Sequence, residues 1–239
     1  MPEISKEAGQ NLLSFLWRFL PEAWIGAKMG GLPGLVLLVE LAEETEDELE
    51  EKITAVEKAL GDFDVYSRTL RDEAERKDYW VLRRQSFSLL RSHAKGKSAA
   101  PFVEDFCIDP EYVPEFLPRA RDLLETHGIN VNIAGHAGNG NFHIIPLMNL
   151  SDKSRQEKIP EVAEKFYDLV LEYDGTITAE HNDGIVRTPF VEKMFGADVY
   201  HLFEKTKEIF DPDNIFNPGK KVDGTIDYMT DHIAADESE

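Results

Sequence analysis

The chain has 239 residues, of which 42% are hydrophobic and 30% charged, and it carries a net charge of −20. That balance fits a globular protein long enough to bury a sizeable core, as one large domain or two small ones. The excess of acid excludes nucleic acid as a partner, because its phosphates would be repelled.

Cys107 is the only cysteine, so no internal disulfide framework forms, and a reducing, cytoplasmic setting is expected. It sits in an apolar run and reads as a small buried hydrophobe. The N-terminus lacks a basic stretch before an apolar run, so no secretory signal is expected. The longest apolar run, residues 35–39, is too short to span a bilayer.

In chain order, residues 7–24 read as an amphipathic helix bearing Leu16, Phe19 and Leu20. It belongs to a core, or it touches a membrane or another domain. Residues 35–41 (LVLLVEL) read as a buried strand by their apolar, β-rich content. Thr45 followed by Glu48 is a capping box that opens a helix, with Leu49, Ile53, Val56 and Leu60 at helical spacing. Gly61 stops it, and residues 64–69 read as a second strand, which completes a βαβ unit. Residues 72–93 read as a long helix and residues 101–108 as a third strand. A helix from Pro114 to Gly128 follows, then a hairpin over 130–147 and a helix over 152–173.

Beyond Gly175 the chain turns polar, with short helices after Pro189 and over 198–210. The expected organisation is a domain over 1–174, a C-terminal segment over 175–221 and an acidic, disordered tail over 222–239. The fold class that follows is α+β. A mostly antiparallel sheet carries helices on one face, in a split βαβ arrangement, and a short helical segment closes the chain.

The chemistry concentrates around the hairpin. His136 ends its first arm and His143 opens its second, and Gly138, Asn139, Gly140 and Asn141 between them suit a reversing loop. Two imidazoles brought together this way are the raw material of a transition-metal site, although a His pair also serves as a hydrogen-bonded fixture under a loop. Glu180 is the best candidate for a third ligand. If residues 176–181 are extended, Glu180 and His181 project to opposite sides. Glu180 then joins the metal, and His181 is left to act as a general base. A surface turn with a Glu-His pair fits the same spacing. Arg83 and Arg84 stand on the long helix among apolar residues. Either can fork a carboxylate, or both are solvated helix charges. The glycines at 30–34 lack the spacing of a phosphate cradle.

Three segments now point one way. Gly135-His136-Ala-Gly-Asn-Gly-Asn141-Phe-His143, Ala179-Glu180-His181-Asn182-Asp183-Gly184 and Asp211-Pro-Asp-Asn-Ile-Phe-Asn217-Pro-Gly-Lys220 resemble, in order, the motifs of FAD-linked oxidases. The D-lactate dehydrogenase, glycolate oxidase and D-2-hydroxyglutarate dehydrogenase group carries them. Trp80-x-Leu-Arg83 stands before them, and the resemblance covers nearly all of residues 7–221. It implies a substrate-binding cap plus the segment that returns to the flavin, with the family's flavin-binding domain supplied in cis or in trans. The chain alone is therefore expected to be inactive.

The resemblance further implies oxidation of a small D-2-hydroxy acid. It implies a divalent ion (Zn, Mn or Fe) on His136, His143 and Glu180, and His181 as the base. Arg83 is implied as the substrate-carboxylate clamp and Asn217 as a neighbour of the FAD ring. An electron acceptor or a membrane surface is a further partner it allows. Asn139, Asn182, Asp183, Ile145 and Phe87 depart from the residues common in such relatives. The positions that read the substrate side chain are therefore the least transferable. Two other functions share the same residues, a metal-dependent hydrolase and a metal-stabilised interaction module.

Overall fold

The structure is a computed structural model that describes residues 24, 26, 27, 30, 31, 34–93 and 97–233, with the backbone alone at 87–93. The helix expected over 7–24, with Leu16, Phe19 and Leu20, lies outside the described residues. So do most of the glycine-rich segment, the side chain of Phe87 and the last six residues. The chain divides into two compact units, residues 1–90 and 91–239.

In the first unit, α1 (Glu46–Leu60) starts with the expected reciprocal cap. Thr45 accepts from the Glu48 N–H while the Glu48 side chain accepts from the Thr45 N–H. Gly61 ends it. A long second helix, α2 (Glu73–His93), follows. The two strands expected on either side of α1 do not form. Residues 35–41 and 64–70 run outside any ladder among the described residues, and Leu35, Val36, Leu37 and Val39 are exposed. An apolar run becomes a strand only where another backbone takes its hydrogen bonds. These arms are tied to α1 by side chains instead: Lys52 pairs with Glu43, Arg71 pairs with Glu50, and Thr69 Oγ1 donates to Glu57 at 2.9 Å.

The second unit is the α+β fold that the sequence predicts. Its antiparallel sheet is organised on β4 (Asn141–Met148). Along one edge β4 pairs with β3 (Asn130–His136) over the full hairpin. Along the other it pairs at one end with β1 (Ser98–Ala99) and at the opposite end with β2 (Phe106–Cys107). The third strand is therefore far shorter than the expected 101–108. Asp105 takes a left-handed conformation, φ 67°, which no strand continues through.

Alternation along β4 turns Phe142, Ile144 and Met148 into a core with α3 (Val113–Thr126) and α5 (Ile159–Glu172). The Phe106 ring lies 5.1 Å from that of Phe116, 5.3 Å from Phe166 and 6.0 Å from Phe142. Burying each such side chain is worth about 1.5–3 kcal/mol. The helix expected over 152–173 breaks into α4 (Lys153–Gln156) and α5, with Pro160 in the first turn of α5, where a missing N–H costs nothing.

Four helices complete the unit: α6 (Gly184–Arg187), α7 (Val191–Phe195), α8 (Ala197–Phe210) and α9 (Ile226–Asp231). The last corrects the expected tail. Thr225 caps α9, and Met229 is buried in the core cluster. No helix among the described residues is long and apolar enough to cross a membrane.

The hairpin turn is a short 3₁₀ stretch, Ala137–Asn139, closed by Gly140 at φ 70°. Its carbonyl accepts from the Ile108 N–H at 3.1 Å, so the turn packs against the chain leaving β2. A Cβ at residue 140 would lie 1.7 Å from the Ile108 carbonyl oxygen. Gly140→Ala is therefore expected to cost about 1–3 kcal/mol or more. Urea denaturation reads this directly, and an unchanged midpoint would show that the turn tolerates a side chain.

Candidate metal centre

Two elements carry the site. In the β3–β4 register His136 stands opposite Asn141, and His143 opposite Ala134. The two histidines are thus diagonal neighbours on one face, within reach of each other, with ring centroids 5.7 Å apart. The second element reaches the sheet through a single bridge. Cys107 and Thr176 exchange backbone hydrogen bonds at 2.9 and 2.8 Å, which lays residues 176–181 beside β2.

From there the chain wraps around one buried carboxylate. Asp105 accepts the N–H groups of Ala179 (3.1 Å), Glu180 (3.1 Å) and His181 (2.8 Å), and the hydroxyl of Thr178 (3.2 Å). Three consecutive N–H groups cannot converge in a strand, where they alternate. The extended conformation expected for 176–181 is therefore wrong, and with it the separation of Glu180 from His181. Both side chains turn to the same place. Oε1 of Glu180 lies 3.1 Å from His143 Nε2, 3.2 Å from His181 Nε2 and 3.8 Å from His136 Nε2.

The donor atoms of His136, His143 and Glu180 all lie within 4.8 Å of one another. Ligands bound at about 2.0–2.2 Å to one ion are separated by roughly 3–3.5 Å. Lone-pair nitrogens facing a carboxylate at this spacing are a donor set that a cation fits. The site is open on one flank: His136 and Glu180 line a cavity of about 440 Å³ with Cys107, Asn139, Asn141 and Ala179. Two imidazoles and one carboxylate leave further coordination positions free. His181, half-exposed, stacks on His143 with centroids 5.0 Å apart.

Two carboxylates missing from the sequence-based candidates support this arrangement. Glu104 Oε2 lies 3.3 Å from His143 Nδ1 and 3.0 Å from His181 Nδ1. Arg187, itself buried, donates to the Glu104 carbonyl at 2.9 Å and to its carboxylate at 3.2 Å. Burial works against ionisation of Glu104. The His143 hydrogen bond and the charges of Arg187 and His181 outweigh it and hold the carboxyl below its ordinary range. Burial likewise opposes ionisation of Asp105, and the backbone donors from His181, Ala179 and Glu180, with Arg187, bring it down. The Glu104 hydrogen bond, opposed by burial and aided by Glu180 and Asp105, moves His143 up. One sequence signal did exist: two adjacent acids inside the otherwise apolar run 101–108.

The remaining candidates are distributed more widely. Asn217 is exposed and left-handed, φ 48°, in the closing turn. That turn is held near the second motif by Lys221, which pairs with buried Asp183 and whose N–H donates to Thr188 at 2.8 Å. Asn182 is left-handed, φ 63°. Asn tolerates that region best after Gly. Ile145 is buried, with 6% exposure. Arg83 belongs to the first unit, half-buried on α2.

Comparison with known proteins gives the chain its family. The sequence model described as "FAD linked oxidases, C-terminal domain" matches residues 23–221, and the chain belongs to that family. It is 27% identical to D-2-hydroxyglutarate dehydrogenase of Haemophilus influenzae over 190 residues, 77% of this chain and 18% of that protein. It is 29% identical to D-lactate dehydrogenase of Archaeoglobus fulgidus over 201 residues, 84% of this chain and 41% of that protein. It is 30% identical to glycolate oxidase subunit GlcD of Bacillus subtilis over 195 residues, 80% of this chain and 40% of that protein. The chain thus spans between 18% and 41% of the length of these relatives.

Because Asp105 anchors the loop, Asp105→Ala should leave three part-buried N–H groups without an acceptor and Arg187 with less counter-charge. A loss of about 3 kcal/mol or more is expected, with amide exchange at 179–181 accelerated beyond the rest of the second unit. In the parent chain the contribution of Asp105 is complete above about pH 4 and is lost as acid protonates the folded carboxyl. Exchange at 179–181 no faster in the variant than in the parent would refute the anchoring role.

Proposed function

We propose that this chain is the substrate-binding cap and flavin-proximal segment of an FAD-linked dehydrogenase that oxidises a D-2-hydroxy acid to the 2-oxo acid. The observation that carries the reading is the meeting of His136, His143 and Glu180 around Glu180 Oε1, with His181 Nε2 at 3.2 Å from the same oxygen. D-lactate, D-2-hydroxyglutarate and glycolate, named in the three relatives, share one unit, a carboxylate beside a hydroxyl. That unit can chelate an ion through two oxygens. His136, His143 and Glu180 are the residues to hold a divalent ion, which would supply Lewis acidity to the hydroxyl.

His181 is the group to accept the hydroxyl proton, since its Nε2 lies at the edge of the donor set and the ring is half-exposed toward an incoming substrate. Arg83 is assigned the substrate carboxylate and Asn217 the neighbourhood of the flavin. When bound, the flavin supplies the hydride acceptor, held mainly by the family's flavin-binding domain, joined in cis or docking in trans. The boundary between cap and flavin-proximal segment is placed at 174/175.

An exposed apolar surface supports docking. Ile209 and Phe210 on α8 and Ile215 and Phe216 in the closing turn are each more than 65% exposed. They surround Asp211, which accepts the N–H groups of Ile215 and Phe216, each at 2.9 Å. Phe190, by contrast, is buried in the core. Surfaces of this kind mark interaction sites. At high concentration the chain alone is expected to self-associate, and replacing Phe210 and Phe216 by Ser should shift sedimentation toward monomer. A parent chain that sediments as a clean monomer would count against a docking role.

The central test uses cobalt as a spectroscopic probe. The chain should bind one equivalent of Co²⁺. D-Lactate or D-2-hydroxyglutarate should then perturb the visible bands, whereas simple carboxylates such as acetate should not. His143→Ala should weaken metal uptake at least a hundredfold, and His181→Ala should retain most of it. Equal loss in both would make His181 a ligand. No response to any hydroxy acid would favour the hydrolase or interaction-module readings.

A further inference from the structure

We infer that Glu104 is a positioning residue that fixes the tautomer of two histidines at once, making His143 a metal donor and His181 a proton acceptor through their Nε2 atoms. This rests on the metal reading above only for the job given to His143.

The geometry is specific. One oxygen, Glu104 Oε2, faces both Nδ1 atoms, at 3.3 Å for His143 and 3.0 Å for His181. The opposite nitrogens of the same rings both face Glu180 Oε1, at 3.1 and 3.2 Å. The rings are stacked 19° from parallel, so the two imidazoles lie side by side between one carboxylate behind and another in front. A carboxylate only accepts hydrogen bonds. Glu180 makes the opposite demand on Nε2, but at 46% exposed it can take water instead, whereas Glu104 at 15% cannot. A neutral ring therefore carries its hydrogen on Nδ1, toward Glu104, and its lone pair on Nε2, at the site. The other tautomer would turn a lone pair toward Glu104 and an N–H toward the ion. Metal-ligating histidines are commonly set this way by a carboxylate behind them. Here a single carboxylate serves both a ligand and the base next to it.

Glu104 is itself immobilised. Its side chain is 15% exposed, and Arg187 grips both its backbone carbonyl and its carboxylate. The left-handed turn at Asp105 follows it, and β2 begins at the next residue, Phe106. The donor atoms of Glu104, Asp105, His143 and His181 also lie close enough together to suggest a second ion. Two observations speak against that: the Arg187 guanidinium occupies the approach to Glu104, and the Asp105 oxygens are taken by backbone donors. A cation would have to displace both.

The test reads tautomers by ¹⁵N–¹H correlation through the imidazole carbons, at about pH 8.5, where an unperturbed imidazole is neutral. It uses the full chain, with and without one equivalent of Zn²⁺. His143 and His181 should both show protonated Nδ1, and Zn²⁺ should move the His143 Nε2 resonance. Glu104→Gln keeps the shape, but Arg187 donates to Oε1 and so keeps the amide oxygen on its side, which leaves the NH₂ to donate toward both rings where Oε2 accepted. At least one ring should switch tautomer, and Zn²⁺ affinity should fall about tenfold to a hundredfold, with an unchanged fold by circular dichroism. Either ring of the parent chain in the Nε2–H form, with or without Zn²⁺ uptake, overturns the inference. So does a folded Glu104→Gln variant with both tautomers and Zn²⁺ affinity unaltered. Both rings in the Nδ1–H form without any Zn²⁺ uptake would support the role of Glu104 and overturn the metal reading instead. If Glu104→Gln fails to fold, the parent tautomers alone decide.

Discussion

A single buried carboxylate organises the second unit's chemistry. Asp105 is fully enclosed, and burying a charge costs several kcal/mol unless donors surround it. The donors come from a segment more than seventy residues downstream, three successive N–H groups and a hydroxyl, with Arg187 as the nearest cation. Meeting that requirement bends residues 178–181 around the carboxylate. The bend aims Glu180 and His181 at the hairpin. The left-handed backbone of Asp105 also ends the strand in front of Phe106 and leaves Glu104 pointing behind the two rings. One residue thus sets the loop, the length of the strand and the placement of its neighbour.

Strand β4 supplies the other half of the frame. Each other strand of the sheet pairs with it, so its side chains are fixed from both edges. Its even positions Phe142 and Ile144 face the core, and its odd positions Asn141 and His143 lie on the site's face. Asn141 uses its amide to hold the Phe106 carbonyl at 3.0 Å. Gly135 lies opposite Phe142, and a Cβ there would meet the Asn141 carbonyl oxygen at 2.4 Å. The close approach of β3 to β4, which brings His136 near His143, therefore depends on that missing atom.

The first unit illustrates the limits of local pattern. Its helix α1 has good caps and its flanking arms have strong strand composition, yet the arms stay outside any ladder and exposed. Polar tethers from Lys52, Arg71 and Thr69 hold them to α1. Helices can form from contacts within the segment, whereas strands need a second backbone, and composition says nothing about whether one is present.

The sequence by itself determined what depends on neighbours in the chain. Thr45 and Glu48 cap α1, Gly61 ends it, and the Gly/Asn run reverses the hairpin, all through contacts within a few residues. The period-two pattern then put His136 and His143 on one face, because a tight hairpin leaves only one register. Tertiary structure alone decided the rest. Whether residues 176–181 alternate like a strand depended on what their N–H groups could find, and they found Asp105. That contact reversed the expected separation of Glu180 from His181. The importance of Glu104 and Arg187 was equally hidden, because each acts on partners some forty to eighty residues away. Only the folded chain brings them within hydrogen-bonding distance.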